Sequence, residues 1–176
     1  MSFISPEVAA THFHLRVGDR VADFGAGSGH FVRALSRAVG PDGKVFAIEI
    51  QKQLARAIAD MATKEKLSNT ESIWGDLEAL GGTKLPDKTL DLVLISNTLS
   101  MLEDKQTPLK EAHRVLRKGG KLCIIDWSDG MGEIKVNHSL RMSESEIKDL
   151  VEGLGFVFEK DFGGGAHHYG LTFRAT

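Results

Sequence analysis

The sequence predicts an α/β fold, a mostly parallel sheet with helices on both faces and a C-terminal antiparallel hairpin. Three observations predict it. Short apolar runs alternate with segments of helical periodicity along the chain. The run Leu90 to Ile95 is almost continuously apolar, as expected of a strand covered on both faces. The last two strand-like segments are joined by a glycine turn, a connection too short for a parallel crossover.

Taken in order, the N-terminal segment has room for one short helix starting near Ser5-Pro6, followed by a strand over Arg20 to Phe24. Gly25-Ala26-Gly27-Ser28-Gly29 follows at once, and Phe31, Leu35 and Ala38 then recur at helical spacing. Gly40-Pro41-Asp42-Gly43 has turn composition. Lys44 to Ile48 reads as the second strand, and Leu54, Ile58 and Met61 mark a second helix. Ser72 to Trp74 and Leu90 to Ile95 are the third and fourth strands. Thr107-Pro108 reads as an N-cap followed by proline at the first helical position. Leu109, Ala112 and Leu116 are the buried stripe of that helix, ended by Gly119-Gly120. Its polar residues Glu111, His113 and Arg114 read as a solvated face. Lys121 to Trp127 is the fifth strand. Ser143 and Glu146 form a capping box ahead of Ile147, Leu150 and Val151. Phe156 to Asp161 and Tyr169 to Arg174 make the terminal hairpin.

Composition narrows the functional classes. The 176 residues are 41% hydrophobic and 26% charged, which suits one soluble domain and excludes a disordered chain. Lys and Arg number 22 against 24 Asp and Glu, so no basic field exists for gripping nucleic acid nonspecifically. The single Cys123 excludes an internal disulfide, and its apolar neighbours mark it as inert core. No apolar run approaches the ~18 residues a membrane helix needs. The first ten residues lack a signal-peptide pattern, so a cytoplasmic protein is expected.

The glycine loop is the first chemical signal. Glycines directly after a strand allow a sharp turn and close approach of backbone to a ligand. A dinucleotide fingerprint requires glycine at the sixth position, where His30 stands, and no Gly-Lys-Ser/Thr of a phosphate loop follows. Asp23 just ahead of the loop would repel a pyrophosphate and suits an ammonium group. Glu49 ends the second strand, where a carboxylate can accept hydrogen bonds from ribose hydroxyls, and Asp76 follows the third. Any one of these acids alone could be a solvated loop carboxylate. Together they fall at the strand ends where open α/β sheets bind ligands.

With these residues in place, the chain resembles the class I S-adenosylmethionine-dependent methyltransferases, in the branch acting on small molecules and quinones. Val21 to Gly29, Val45 to Glu49, Gly75-Asp76-Leu77, Leu90 to Asn97 and Leu109 to Gly120 are similar to successive family motifs, in the family's order. The resemblance implies a Rossmann-like seven-stranded sheet whose last strand runs antiparallel between the fifth and sixth. It implies one methyltransferase domain over residues 1–176, with little or no lid insertion, and S-adenosyl-L-methionine as cofactor. Asp23, Gly25, Ala26, Gly27 and Gly29 would hold its methionine portion and Glu49 its ribose. Ile50 would flank the adenine, Asp76 and Leu77 would contact its edge, and Ser96 would approach the sulfonium.

The tetrapeptide of amino-group methyltransferases is absent; Ser96-Asn97-Thr98-Leu99 stands in its place. Only about fifteen residues separate Trp127 from Ser143, where relatives insert substrate-covering helices. The missing tetrapeptide argues against adenine or glutamine N-methylation, and a small-molecule acceptor is expected, whereas the short connector points to an open site or one completed by a partner. The alternatives are an RNA or protein methyltransferase with an open site, or a cofactor-binding module acting through a partner. A nucleotide-binding oxidoreductase is opposed by His30. No feature sets an oligomeric state. His167 and His168, in the glycine-rich turn before the last strand, are the candidate general bases. Adjacent strand residues point oppositely, so at most one of them would face the site. Asp126, Trp127, Asp129 and His138 are further candidates at the rim, and no metal-ligand spacing is recognisable. His12 and His14 read as helix-surface residues.

Overall fold

A computed structural model describes residues 4–128 and 141–176. Seven strands form one sheet in the order β3-β2-β1-β4-β5-β7-β6. The strands are β1 (Arg20–Phe24), β2 (Lys44–Glu49), β3 (Thr70–Trp74), β4 (Leu90–Ser96), β5 (Leu116–Trp127), β6 (Phe156–Gly163) and β7 (His168–Ala175). The first five pair in parallel. β7 runs antiparallel to both β5 and β6, so the sheet has the mostly parallel, Rossmann-like form expected, with the antiparallel hairpin at its end. Helices α1 (Pro6–Phe13), α2 (Val32–Val39), α3 (Lys52–Lys64), α4 (Gln106–Val115) and α5 (Glu144–Glu152) cover it. None of the described helices is long and apolar enough to cross a membrane.

Strand alternation divides the core in two. Ala22, Phe24, Val93, Ile95, Leu122 and Ile124 meet Leu109, Ala112 and Val115 of α4 and Ile147 and Val151 of α5. Val21, Val45, Leu92, Leu94, Cys123 and Ile125 meet Ala9 and Phe13 of α1 and Leu35 and Val39 of α2. Both central strands are thus apolar on consecutive residues, which is why Leu90 to Ile95 reads as continuous. Cys123 is fully buried and its thiol is pushed up to about 12, chiefly by burial. The capping box of α5 is present, with the Ser143 Oγ accepting from Glu146 N and the Glu146 carboxylate accepting from Ser143 N at 2.7 Å.

Three expectations around α4 are corrected. The helix ends at Val115, and β5 begins at Leu116, so Gly119-Gly120 lie within a strand rather than after a helix. Gly119 has φ +75° and the β4–β5 register shifts between Leu90 and Leu92, so the glycines accommodate an irregularity in the ladder. The N-cap position is Lys105, with no side-chain cap of its own; Asp104, one residue earlier, accepts instead from Gln106 N and Thr107 N, and Thr107 donates its hydroxyl to that carboxylate at 2.5 Å. The polar face of α4 is not solvated. Glu111 is fully buried, accepting from Thr83 Oγ1, Gly81 N and Arg114, which also donates to Asp87. Burial opposes its ionisation, but the hydrogen bonds from Arg114, Thr83 and Gly81 outweigh it and hold the carboxyl at about 2. His113 packs edge-on against Phe156 at 5.2 Å, and burial lowers its pKa.

Candidate active site

The order of the strands reverses between β1 and β4, and ligands of open α/β sheets bind at such a switch point beyond the C-terminal strand ends. A cavity of about 340 Å³ opens there. β1 delivers Asp23 and the glycine loop to one wall, β2 delivers Glu49, and the β3–β4 connection brings Asp76, Leu77 and Glu78. Of the residues singled out in the sequence, Asp23, Gly25, Ala26, Gly27, Glu49, Ile50, Asp76, Leu77 and Ser96 all line it. Gly29 does not. A Cβ there would come within 3.3 Å of Ile58 and Met61, so this glycine lets α3 pack closely against the loop.

The loop is shaped by left-handed backbone at Gly25 (φ +78°) and Gly27 (φ +56°). A Cβ on Gly25 would collide with Thr98 Oγ1 at 2.5 Å, whereas one on Gly27 would meet nothing within 4 Å and would project into open space. Gly25 N and Ala26 N donate to Ile48 O, tying the loop to β2. Glu49 strengthens the tie: its Oε2 accepts from Gly27 N and its Oε1 from Gln51 N, both at 2.8 Å. Asp76 accepts from Glu78 N at 2.9 Å, which orients its carboxylate in the turn.

Asp23 differs from the other acids. Asp23 as a residue is 2% exposed, and no hydrogen bond among the described residues reaches its carboxylate. Burial, with the Glu49 charge nearby, pushes its carboxyl up to about 7. An ammonium group reaching this carboxylate would satisfy it and favour its charged form. The lining contains four carboxylates, Asp23, Glu49, Asp76 and Glu78, and no Lys or Arg. That donor set disfavours a polyphosphate and fits a ligand with a cationic end, hydroxyl groups and an aromatic base. S-adenosylmethionine has those features, and the open space beside Gly27 gives its backbone room for close approach.

The fourth wall continues past the motif that ends at Asn97. Asn97 (φ +51°), Thr98, Met101 and Leu102 close the cavity through a 3-10 turn, Leu99–Met101. Asp126, buried at the end of β5, accepts from Ser100 N at 3.0 Å and anchors this turn; burial raises its pKa. Phe31, Leu54, Gln51, Ser28 and His30 complete the lining. The only local signal for these residues is their position in or directly after the glycine loop, or after β2 or β4.

Neither His167 nor His168 lines the cavity. His168 opens β7 opposite Trp127, and its ring lies 4.1 Å from the Trp127 ring, tilted by 40°. Burial, with His167 beside it, pushes the His168 imidazole down to about 4, so it is neutral at pH 7. His167 is held at the edge through its carbonyl, which accepts from Ser128 N. His12 stacks on Phe162 at 5.0 Å, and His14 is exposed beside Lys160. Trp74 is 54% exposed, donating to Ile50 O with Lys52 and Lys84 over its ring, and is neither core nor lining. Asp129 and His138 lie outside the described residues, and no metal-binding cluster exists among the described ones.

Comparison with known proteins agrees with this chemistry. A family model described as a methyltransferase domain matches residues 15–165. The ubiquinone/menaquinone biosynthesis C-methyltransferase of Hydrogenovibrio crunogenus is 34% identical over 115 residues, covering 65% of this chain and 44% of that protein. An arsenite methyltransferase of Aquipseudomonas alcaligenes is 28% identical over 183 residues, covering 98% of this chain and 51% of that protein. The chain spans about half the length of the curated relatives it matches. Among solved structures, an S-adenosylmethionine-dependent methyltransferase from Aquifex aeolicus superimposes with a TM-score of 0.89 at 27% identity, covering 99% of this chain and 91% of that one. The chain belongs to the class I S-adenosylmethionine-dependent methyltransferases.

Proposed function

We propose that this chain transfers a methyl group from S-adenosylmethionine to a small-molecule acceptor. The observation that carries the reading is Asp23, a buried and unpartnered carboxylate in a cavity walled by acids and free of Lys and Arg. In this reading Asp23 takes the ammonium of the cofactor, and the backbone of Gly25, Ala26 and Gly27 lies along its methionine portion. Glu49 keeps its contacts to Gly27 N and Gln51 N and accepts the ribose hydroxyls on its remaining lone pairs. Ile50 and Leu77 flank the adenine, and Asp76 accepts from its amino group. Ser96 closes the wall near the sulfur. Gly29 acts indirectly, by setting the spacing between the loop and α3. When bound, the cofactor supplies an electrophilic methyl carbon on a sulfonium.

The chain's own contribution is mainly to hold the acceptor in line with that carbon, since bringing two reactants together can supply much of such a barrier. His167 and His168 remain the proposed bases, at the acceptor end. An imidazole near 4 is a weak base, so positioning is assigned the larger share. Relatives named for quinone and arsenite methylation support a small acceptor. Arsenite is soft and prefers thiolates, and the one thiol here is buried and pushed up to about 12, which favours an organic acceptor.

Two measurements test the reading. Calorimetry with S-adenosylhomocysteine should give one site, and methyl-labelled cofactor should pass its label to the metabolite fraction of an extract. Folded protein without that heat, or label found in RNA or protein instead, would overturn it.

A further inference from the structure

The ligand-binding edge reads in strand order. Asp76 follows β3, Glu49 ends β2, Asp23 is the last residue but one of β1 and Ser96 ends β4. If adenine, ribose, amine and sulfur follow that order, the acceptor sits beyond β4, over the ends of β5 and β7. These lie one and two strands further, at about 4.8 Å per strand. Trp127 is the last residue of β5, and β5 is fastened to the cavity wall because Asn97 N donates to Ile125 O at 2.8 Å.

A cation waits at that end. The Arg141 guanidinium lies over the Trp127 ring, 5.9 Å from its centroid, on the segment leading into the capped start of α5. Its Nε and Nη2 are buried and have no hydrogen-bond partner among the described residues, and Arg141 forms no ion pair among them. Leaving two guanidinium donors of a half-buried arginine unmet is costly, and planar, forked donors of this kind match an oxyanion. The nearest described acid along β5, Asp126, points to the opposite face of the strand, where Ser100 N and Trp127 N occupy its carboxylate. On the Trp127 side His168 contributes a neutral ring, so no positive charge from it competes with Arg141.

We propose that Arg141, held over Trp127, binds an oxyanion of the methyl acceptor and so selects acidic small molecules, such as carboxylates or ionised phenols. The inference rests on the methyltransferase reading for the meaning of the site, but its test stands apart. In nitrogen-labelled protein, benzoate should shift the Trp127 indole N–H and the Arg141 Nε–H signals with a dissociation constant on the order of millimolar. Benzamide, equal in shape but neutral, should not. Arg141→Gln should weaken benzoate by about tenfold or more, with Arg141→Lys restoring part of the loss, while both variants keep the wild-type amide spectrum.

Equal shifts with benzamide, no shift with benzoate, or unchanged benzoate affinity in Arg141→Gln would each overturn the inference. S-adenosylhomocysteine is titrated in parallel, with the Gly27 amide as its reporter. Failure there sinks the methyltransferase reading, whereas binding there without benzoate binding sinks only the role of Arg141. With an extract, the labelled product should be retained by an anion exchanger at neutral pH, and a neutral or cationic product would overturn the proposal.

Discussion

Replacing Asp23 by Asn probes the electrostatic centre of the site. The wild-type carboxyl is raised from 3.8 to about 7 by burial and by Glu49. Between those values the folded chain keeps a proton that the unfolded chain has released. The contribution of Asp23 to stability is therefore fully present below about pH 4, is lost as the pH rises to about 7, and then levels off. The rise in pKa corresponds to about 4 kcal/mol of lost stability above pH 7. Asn has the same shape and no charge, so Asp23→Asn is expected to stabilise the ligand-free protein by up to about 4 kcal/mol at pH 8, with little change near pH 4. Urea unfolding at several pH values, followed by circular dichroism, reads this directly. The same substitution should cost binding. Loss of a charged hydrogen bond corresponds to roughly 10–100-fold in affinity for S-adenosylhomocysteine. Wild-type affinity should also climb by up to about tenfold per pH unit below 7, as Asp23 gives up its proton, and the variant should show no such slope. A variant no more stable than wild type at pH 8, with unchanged affinity and slope, would refute the placement of Asp23 opposite an amine.

Other substitutions report on separate parts of the molecule. Gly27→Val should abolish S-adenosylhomocysteine binding by filling the space beside the loop, and its left-handed φ of +56° should cost a further ~1–2 kcal/mol of stability; wild-type affinity in a folded variant would contradict this. Glu111→Ala leaves Arg114 and Thr83 without their buried partner and should destabilise by about 3–5 kcal/mol in urea unfolding, a loss under 1 kcal/mol being the contrary result. In the wild type, the contribution of Glu111 should be complete above about pH 4.5 and disappear as pH falls towards 2, measurable as an acid shift in thermal unfolding. Ser143→Ala removes the α5 cap and should cost about 1 kcal/mol, checked by the urea midpoint.

Much of the sheet could be read from residue order because its central strands β1, β2 and β4 are short, mostly apolar on consecutive residues and followed by loops. The acids at the ends of β1 and β2 were legible for the same reason, since strand ends fix where such side chains emerge. Around α4 local signals misled. Gly119-Gly120 has the look of a helix stop, yet pairing of β5 with β4 begins earlier and places the glycines in a ladder irregularity. Glu111, His113 and Arg114 looked solvated because nothing local to α4 announces that the 81–87 segment and Phe156 cover them. The contribution of Met101 and Leu102 to the cavity wall was invisible for a related reason. It depends on Asp126 reaching Ser100 across 26 positions of sequence.

The Glu49 bridge to Gly27 and Gln51 has a consequence for how tightly anything can be held in this pocket. A carboxylate already braced on both oxygens has given up its rotational freedom during folding. An incoming sugar would encounter a fixed acceptor and would spend little of its binding energy on tidying the receptor. By the same logic, loosening that brace would slacken the neighbouring bend as well, so damage at one residue would be felt along two strands.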